Sequence, residues 1–325
     1  MIRFLTEADM DRVHDRSLHL LEKVGVKIQH EEALKQLKNH GASVDQQTSL
    51  VKFPRKMVEG SLQVVPKEYR FAGRNPKFDI SFPLPPHEFI TRTNTGAPHY
   101  VVPRTNELRD IVTSAQHAEW IRLCDAMQNV DYVASPFLGD KPLKTAGLYA
   151  MKSMFENTEK HLWIQPYNSE TLPYIMEMAC AVAGGRDELR KRPVMHITVG
   201  AISPLTFKFM DTEALRLCGE YGVPTTIYTL PSMGATAPVT IAGIVLLTNV
   251  ELLAGNVITQ TFHPGTPVHF LGHKFLIDMS TGNLKQSAVE AMIAAAANAE
   301  FSIRKYGIPF HTYGSGSDSM IPDGQ

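Results

Sequence analysis

The sequence predicts an α/β fold of the TIM (β/α)8-barrel type, cut short at its C-terminus, behind an N-terminal helical and irregular extension. Three observations predict it. From about residue 113, amphipathic helix patterns alternate with short apolar runs. One junction recurs almost verbatim, as Glu220-Tyr221-Gly222-Val223-Pro224 and Lys305-Tyr306-Gly307-Ile308-Pro309. Its Gly can take the left-handed conformation that closes a helix, and its Pro prevents continuation. Six strand–helix units can be counted before Gln325, where eight close a barrel. A doubly wound sheet stays open, but the first candidate strand is not followed by a Gly-rich phosphate fingerprint.

The organisation read from the sequence is an N-terminal region over 1–112 and a partial barrel over 113–325. Residues 6–64 read as helical. Thr6-Glu7-Ala8-Asp9 resembles a capping box, and Val13, Leu18, Leu21 and Val24 mark a stripe ending at Gly25. A second helix runs from about His30 to Asn39 and closes at His40-Gly41. Pro54 suits the first turn of a third, with Met57, Val58 and Leu62 inward. Residues 66–104 are rich in Pro among short β-like runs such as Phe89-Ile90-Thr91. They read as loops, edge strands and a domain seam.

In the barrel region, helix 114–127 precedes strand 130–134, and helix 145–156 precedes strand 161–165. Helix 170–182 precedes strand 193–199, and helix 212–220 precedes strand 225–228. A helix over about 238–253 leads to a strand at either 257–261 or 268–271. Helix 286–305 precedes strand 309–312.

Composition narrows the function. Hydrophobic residues make up 43% and charged residues 20%, ordinary values for a globular enzyme. The net charge of -1 gives no electrostatic case for nucleic acid or an anionic membrane as partner. Cys124, Cys180 and Cys218 are odd in number and form no CxxC pair, so reduced thiols in a cytoplasmic protein are expected. No signal-peptide core opens the chain. The apolar run Val239–Leu253 contains Gly243, Asn249 and Glu251 and reads as a buried helix.

The sequence contains no HExxH, Walker loop or GxSxG elbow. His196 and His269 fall within strands and read as interior histidines rather than metal ligands, and no metal is expected. The loops after the strands are small and neutral: Gly200–Pro204, Thr229–Pro238 with Met233 inside it, and Gly272-His273-Lys274. They suit a pocket wall, although any βα-loop uses the same turn chemistry. Phe137, Trp163, Tyr167, Tyr228 and Tyr313 lie near the same end of the strands. A few such rings around a pocket hold a quaternary ammonium by cation–π attraction. Trp163, mid-strand, reads as core.

Five stretches then become recognisable: Pro231–Gly243, Asn249–Gly255, Pro264–Pro267, Tyr306–Pro309 and Gly314–Ser319. In order and spacing they resemble the trimethylamine methyltransferase family of corrinoid-dependent enzymes. The N-terminal runs Leu20–Val26, Gly41–Asp45 and Val51–Pro54 agree, so the likeness spans nearly the whole chain. The resemblance implies a TIM barrel that moves a methyl group from an amine to Co(I) cobalamin. A separate small corrinoid protein carries that cofactor and docks at the barrel mouth. Methylamine-using members carry pyrrolysine in the loop after the Tyr-Gly-[Ile/Leu]-Pro strand, and that position falls at Gly316 here.

The chain therefore looks like the branch without pyrrolysine, whose members use quaternary amines such as glycine betaine. Gly316 is expected to make space for substrate and corrin. Tyr228, Tyr313, Phe137 and Met233 are expected to line the substrate site. His273, Lys274 or the backbone of Gly314–Ser317 is expected to receive a betaine carboxylate, and Asp318 to pin the loop or meet the ammonium. Partners expected are the corrinoid protein, a quaternary or tertiary amine, and further copies of the chain. Three other readings remain. They are a trimethylamine enzyme, a cobalamin-independent barrel lyase using Lys274 as a Schiff-base amine, and a truncated inactive or assembly protein. The stop at Gln325 is expected to interrupt the barrel.

Overall fold

A computed structural model describes residues 3–94, 96–102 and 105–312. Three N-terminal helices come first: α1 (Glu7–Lys23), α2 (Glu31–Asn39) and α3 (Arg55–Val64). The alternating region follows as α4 (Ser114–Ala126), β1 (Tyr132–Ala134), α5 (Ala146–Asn157), β2 (His161–Ile164), α6 (Leu172–Ala183), α7 (Arg186–Lys191) and β3 (Met195–Ala201). Then come α8 (Phe209–Tyr221), β4 (Thr225–Thr229), α9 (Ile241–Phe262), β5 (Val268–Gly272), α10 (Val289–Phe301) and β6 (Phe310–His311).

These six strands pair in the order β6-β5-β4-β3-β2-β1, each beside its neighbour in sequence. That is the order of a (β/α) barrel. Six strands do not close one, so the described sheet is an open, barrel-type parallel sheet rather than the full TIM barrel. The chain divides into two compact units, with β3 crossing from one to the other.

The first unit comprises residues 3–67, 199–219 and 225–312. Its hub is α9, onto which α1, α2, α3, α10 and β4 pack. From Thr248 to Gln260 every residue of α9 is buried, because the helix is covered on all sides. Several of its polar residues are satisfied inside. Asn249 Nδ2 donates to Ser17 Oγ at 2.8 Å and to Tyr306 Oη at 3.0 Å. Asn256 Nδ2 donates to Ser61 Oγ at 3.0 Å. Length and apolarity alone would let α9 cross a membrane, but most of it lies inside the fold.

Residues 257–261, one of two options for a strand, belong to α9, and the strand is β5. Four short strands also lie where the sequence reads as helix or loop. Leu50–Lys52 pairs antiparallel with Val26–Ile28 and with Ser43–Asp45, and Thr206–Phe207 pairs parallel with Val26–Ile28.

Thr6 caps α1, with the reciprocal bond from Asp9 present. Leu18 and Leu21 are buried as the stripe requires, but Met10 completes it and Val24 is exposed. Pro54 sits at the N-cap of α3 rather than in its first turn. The Tyr306 junction ends on Gly307 at φ 65°, as its sequence demands.

The second unit comprises residues 68–198 and 220–224. It holds β1, β2 and the start of β3 in parallel register, Tyr132↔His161 and His196↔Trp163. Helices α4, α5, α6 and α7 pack in succession. Gly222 closes α8 at φ 71°, the twin of Gly307. Two antiparallel pairs, Tyr69–Phe71 with Ile80–Phe82 and Tyr100–Val101 with Leu108–Arg109, supply the irregular stretch.

Candidate functional site

In the first unit the register of β4 and β5 sorts side chains onto two faces. Glu251, on α9, accepts from Ser203 Oγ at 2.8 Å, from Leu205 N at 2.8 Å and from Thr229 Oγ1. Thr229 therefore faces α9, and its partner Gly272 does too. Tyr228 and its partner Leu271 face the other way, with His269 two residues earlier on the same side.

The α9 face carries charge. Lys274 is 2% exposed. Its Nζ has no hydrogen-bond partner among the described residues and lies 5.6 Å from the Phe310 ring centroid. Burial lowers its pKa to about 7, against an opposing pull from Glu251. Burial also raises the Glu251 pKa, against the three donors that favour its ionised form.

The opposite face is neutral at His269, whose pKa burial lowers to about 3. Tyr228 is half-buried there. His273, which follows β5, is buried and meets Phe275 edge to face at 4.5 Å.

The other expected residues fall as follows. Lys274 turns its amine to the α9 face, away from that of Tyr228, because bare Gly272 leaves room there. Met233 is buried in a core cluster with Ile244, Val245, Ala294 and Ala297. Gly314, Gly316, Ser317, Asp318 and Tyr313 lie outside the described residues.

In the second unit, the face of β1 and β2 turned from α4 is aromatic. Ser135 marks the α4 side by its 2.8 Å bond to His117 Nε2, so Tyr132 and Ala134 look the other way. His161 Nδ1 donates to the Ala72 carbonyl at 3.0 Å, and its Nε2 meets His196 Nδ1 at 2.9 Å. Burial lowers the His161 pKa to about 3. The neutral ring gives its one proton to Ala72, so His196 Nδ1 is the donor to Nε2.

Phe71 stacks on both histidines, at 4.4 and 4.3 Å. Trp163 lies 6.4 Å beyond His196 at an interplanar angle of 19°. The guanidinium carbon of Arg92 stands 3.3 Å above the Trp163 ring. Phe137 and Tyr167 form a separate edge-to-face pair at 5.2 Å.

Sequence reasoning overlooked two of these groups. Arg92 lies beside the β-like run Phe89-Ile90-Thr91, whose residue types hinted at a strand but not at what its side chain would meet. Glu251 showed only as a lone carboxylate in an apolar helix. Among the described residues no group of three or more His, Cys, Asp or Glu could hold a metal. The first unit offers Tyr228 beside the neutral His269, and the second offers an aromatic face with the Arg92 guanidinium over Trp163. These suit binding and orientation.

Comparison with known proteins supplies the chemical context. The family described as trimethylamine methyltransferase (MTTB) matches residues 1–325. The trimethylamine methyltransferase MttB of Desulfitobacterium hafniense strain DSM 10664 / DCB-2 is 32% identical over 98% of this chain, which covers 64% of that protein. The glycine betaine methyltransferase of D. hafniense strain Y51 is 28% identical over 99% of this chain, which covers 66% of that protein. The chain thus spans about two thirds of the length of these relatives. The monomethylamine methyltransferase MtmB of Methanosarcina barkeri superposes with a TM-score of 0.61 over 95% of this chain and 62% of its own, at 12% identity. That likeness concerns the fold alone.

Proposed function

Because the chain belongs to the trimethylamine methyltransferase family, we propose that it takes part in methyl transfer from a quaternary amine to the Co(I) cobalamin of a partner corrinoid protein. The observation that carries the quaternary branch is Gly316, at the position where the family resemblance implies pyrrolysine in methylamine-using members. The similarity to a protein called glycine betaine methyltransferase supports the same branch.

Demethylating a quaternary nitrogen releases a neutral tertiary amine, so the leaving group takes no proton. No general acid is then required of the protein. Its work is to hold the cation, exclude water and align the C–N bond with the attacking nucleophile. Tyr228 offers an aromatic face, worth on the order of 2 kcal/mol to a desolvated cation. His269, held neutral beneath the same face, adds no opposing charge.

Small exposed residues beyond the end of β4 support the approach of a flat partner group. The turn at Gly234, Ala235 and Thr236 is exposed and built of small residues. When bound, a Co(I) corrinoid supplies the nucleophile that this chain lacks.

The test is methyl transfer to free cob(I)alamin across a panel of quaternary amines plus trimethylamine, read as tertiary amine released. Turnover of a quaternary amine is expected. Turnover of trimethylamine alone would overturn this choice of branch.

A further inference from the structure

We infer that His14 is a positioning residue for the proposed methyl transfer. Its neutral ring, acting through Tyr306, holds the turn from which β6 sets out, and protonation of that ring lets the turn go. The consequence for catalysis rests on the quaternary-amine reading, and the latch itself does not. Every residue that carries it belongs to the first unit.

The geometry starts from a stripe on α1. Glu7, Asp11 and His14 recur at helical spacing and share one face. They meet three consecutive residues of the turn Ser302–Tyr306. Glu7 accepts from Arg304, Asp11 accepts from Lys305 Nζ at 2.5 Å, and His14 Nδ1 lies 3.0 Å from Tyr306 Oη. The two ion pairs are exposed at their carboxylates, where such pairs add little. Tyr306 is buried, so its contact with His14 is the anchor of the three.

Proton counting fixes the state of His14. Asn249 Nδ2 has two protons and gives one to Ser17 Oγ and the other to Tyr306 Oη. Ser17 Oγ gives its own proton to the Val13 carbonyl. Tyr306 Oη, having accepted from Asn249, has one proton to give, and His14 Nδ1 receives it. Nδ1 is therefore bare, and the ring is neutral with its proton on Nε2. A proton added at Nδ1 sets donor against donor and leaves a buried O–H without an acceptor, which costs that group its desolvation.

The charged groups around the ring are Asp15 on α1, Arg55 and Glu59 on α3 and Lys305 on the turn, while α9 presents the neutral Asn249. Burial is the main cause that lowers the His14 pKa, and Lys305 and Arg55 add to it against Glu59 and Asp15. The latched form thus resists a proton, and release comes on the acid side of an ordinary imidazole.

What the latch holds is the start of β6. Tyr306 is followed by Gly307 at φ 65°, and the Tyr306 carbonyl accepts from Lys67 Nζ at 2.8 Å. Ser302 Oγ donates to the Ile308 carbonyl at 2.9 Å, and Phe270 N donates to the Pro309 carbonyl at 2.9 Å. Phe310 and His311 then pair with Phe270 and Leu271 of β5, and the sequence runs on to Gly316. A turn set loose at Tyr306 loosens the strand that precedes the residue on which the proposed reaction rests.

The test follows hydrogen exchange of the whole chain by mass spectrometry at pH 7.5 and pH 5, corrected for intrinsic rates, with buried α9 as internal reference. In the wild type, peptides over residues 302–311 are expected to lose protection by about 10-fold relative to α9 at the lower pH, the scale of one interior hydrogen bond. His14→Asn keeps an acceptor near the place of Nδ1 and does not titrate, so its protection should be the same at both pH values. His14→Phe removes the acceptor and should be loose at both; the asparagine variant serves alone if this one does not fold. With a confirmed quaternary amine, the acid limb of kcat should flatten in His14→Asn while KM is unchanged.

The same pH dependence over 302–311 in the wild type and in His14→Asn overturns the inference. So does a wild type without that dependence, or an acid limb of kcat that His14→Asn leaves in place. Exchange that follows His14, without methyl transfer from any quaternary amine, overturns the proposed reaction and leaves the latch standing.

Discussion

Lys274 lays its Nζ where Gly272 lacks a side chain. A Cβ built on Gly272 would stand 2.2 Å from that nitrogen and 2.7 Å from the Phe310 ring. The bare backbone is thus what lets an amine lie buried over the end of β5. Glu251, pinned by Ser203, Thr229 and Leu205, is the carboxylate that acts on it.

Gly272→Ala tests that relationship. The new methyl must push Lys274 or Phe310 aside, and Thr248 Cγ2, at 3.2 Å, closes a third direction. Overpacking of this kind costs about 1–3 kcal/mol. A loss of that size in the unfolding free energy, read from a lower urea midpoint, is expected. If Lys274 escapes towards solvent, the double variant Gly272→Ala, Lys274→Ala should recover part of the loss, because the amine is no longer in the way. An unchanged midpoint in the single variant would mean that this end of β5 is far looser than the contacts indicate.

The same amine gives a pH dependence. Its folded pKa is about 7 against an ordinary 10.5. Between those values the unfolded chain binds a proton that the folded chain refuses. Stability therefore rises with pH from about 7 to 10.5 and is lowest, for this group, below 7. Lys274→Met removes the slope and the penalty, raising stability at pH 7 by about 5 kcal/mol at most. Urea titrations of both proteins at pH 7 and 9.5 check this. The gap between them should shrink at the higher pH; a gap that widens would reverse the sign and refute the buried neutral amine.

Three histidines act at the acid end. Burial holds His117 at about 4, and His161 and His269 at about 3. On unfolding each returns to about 6.5. Across that window the unfolded state binds more protons, so stability is kept above it and lost as pH falls through it. Near pH 5 the three together give a slope of about 4 kcal/mol per pH unit. The denaturation midpoint should fall steeply between pH 6 and 4.5, while imidazole NMR signals of the folded protein show these three untitrated. Titration of any of them near 6.5 would remove it from the account.

What the sequence revealed and what it hid divide along physical lines. The repeated Tyr-Gly-[Val/Ile]-Pro device was legible because one residue type supplies positive φ and another forbids a helix. The parallel strands were legible as apolar runs of ordinary length. Three-residue strands such as Val26–Ile28 are too short to show alternation, and the second half of α9 is buried all round, polar residues included, so its period vanishes into burial. Arg92 stayed hidden for a different reason. Its meaning lies in Trp163, 71 positions away, and no local pattern encodes that contact. Lys274 was visible as a candidate, but which face it turns to depends on Gly272 and the register of β4 with β5.

Gly316 remains the sharpest point at which sequence predicts chemistry. The proposed reaction asks the protein for space: a substrate bearing three methyl groups and a flat macrocycle must come together in line. A residue without a side chain leaves that volume open. Gly316→Phe should fill it and lower methyl transfer from a confirmed quaternary amine by at least about 100-fold, the scale set by displacing a reacting centre about 1 Å. Gly316→Ala adds one methyl and should cost far less. Melting temperatures of both variants should match the wild type, which separates blocked chemistry from lost folding. Turnover by Gly316→Phe at the wild-type rate would show that position 316 does not border the reacting groups, and the quaternary-amine reading would lose the residue that carries it.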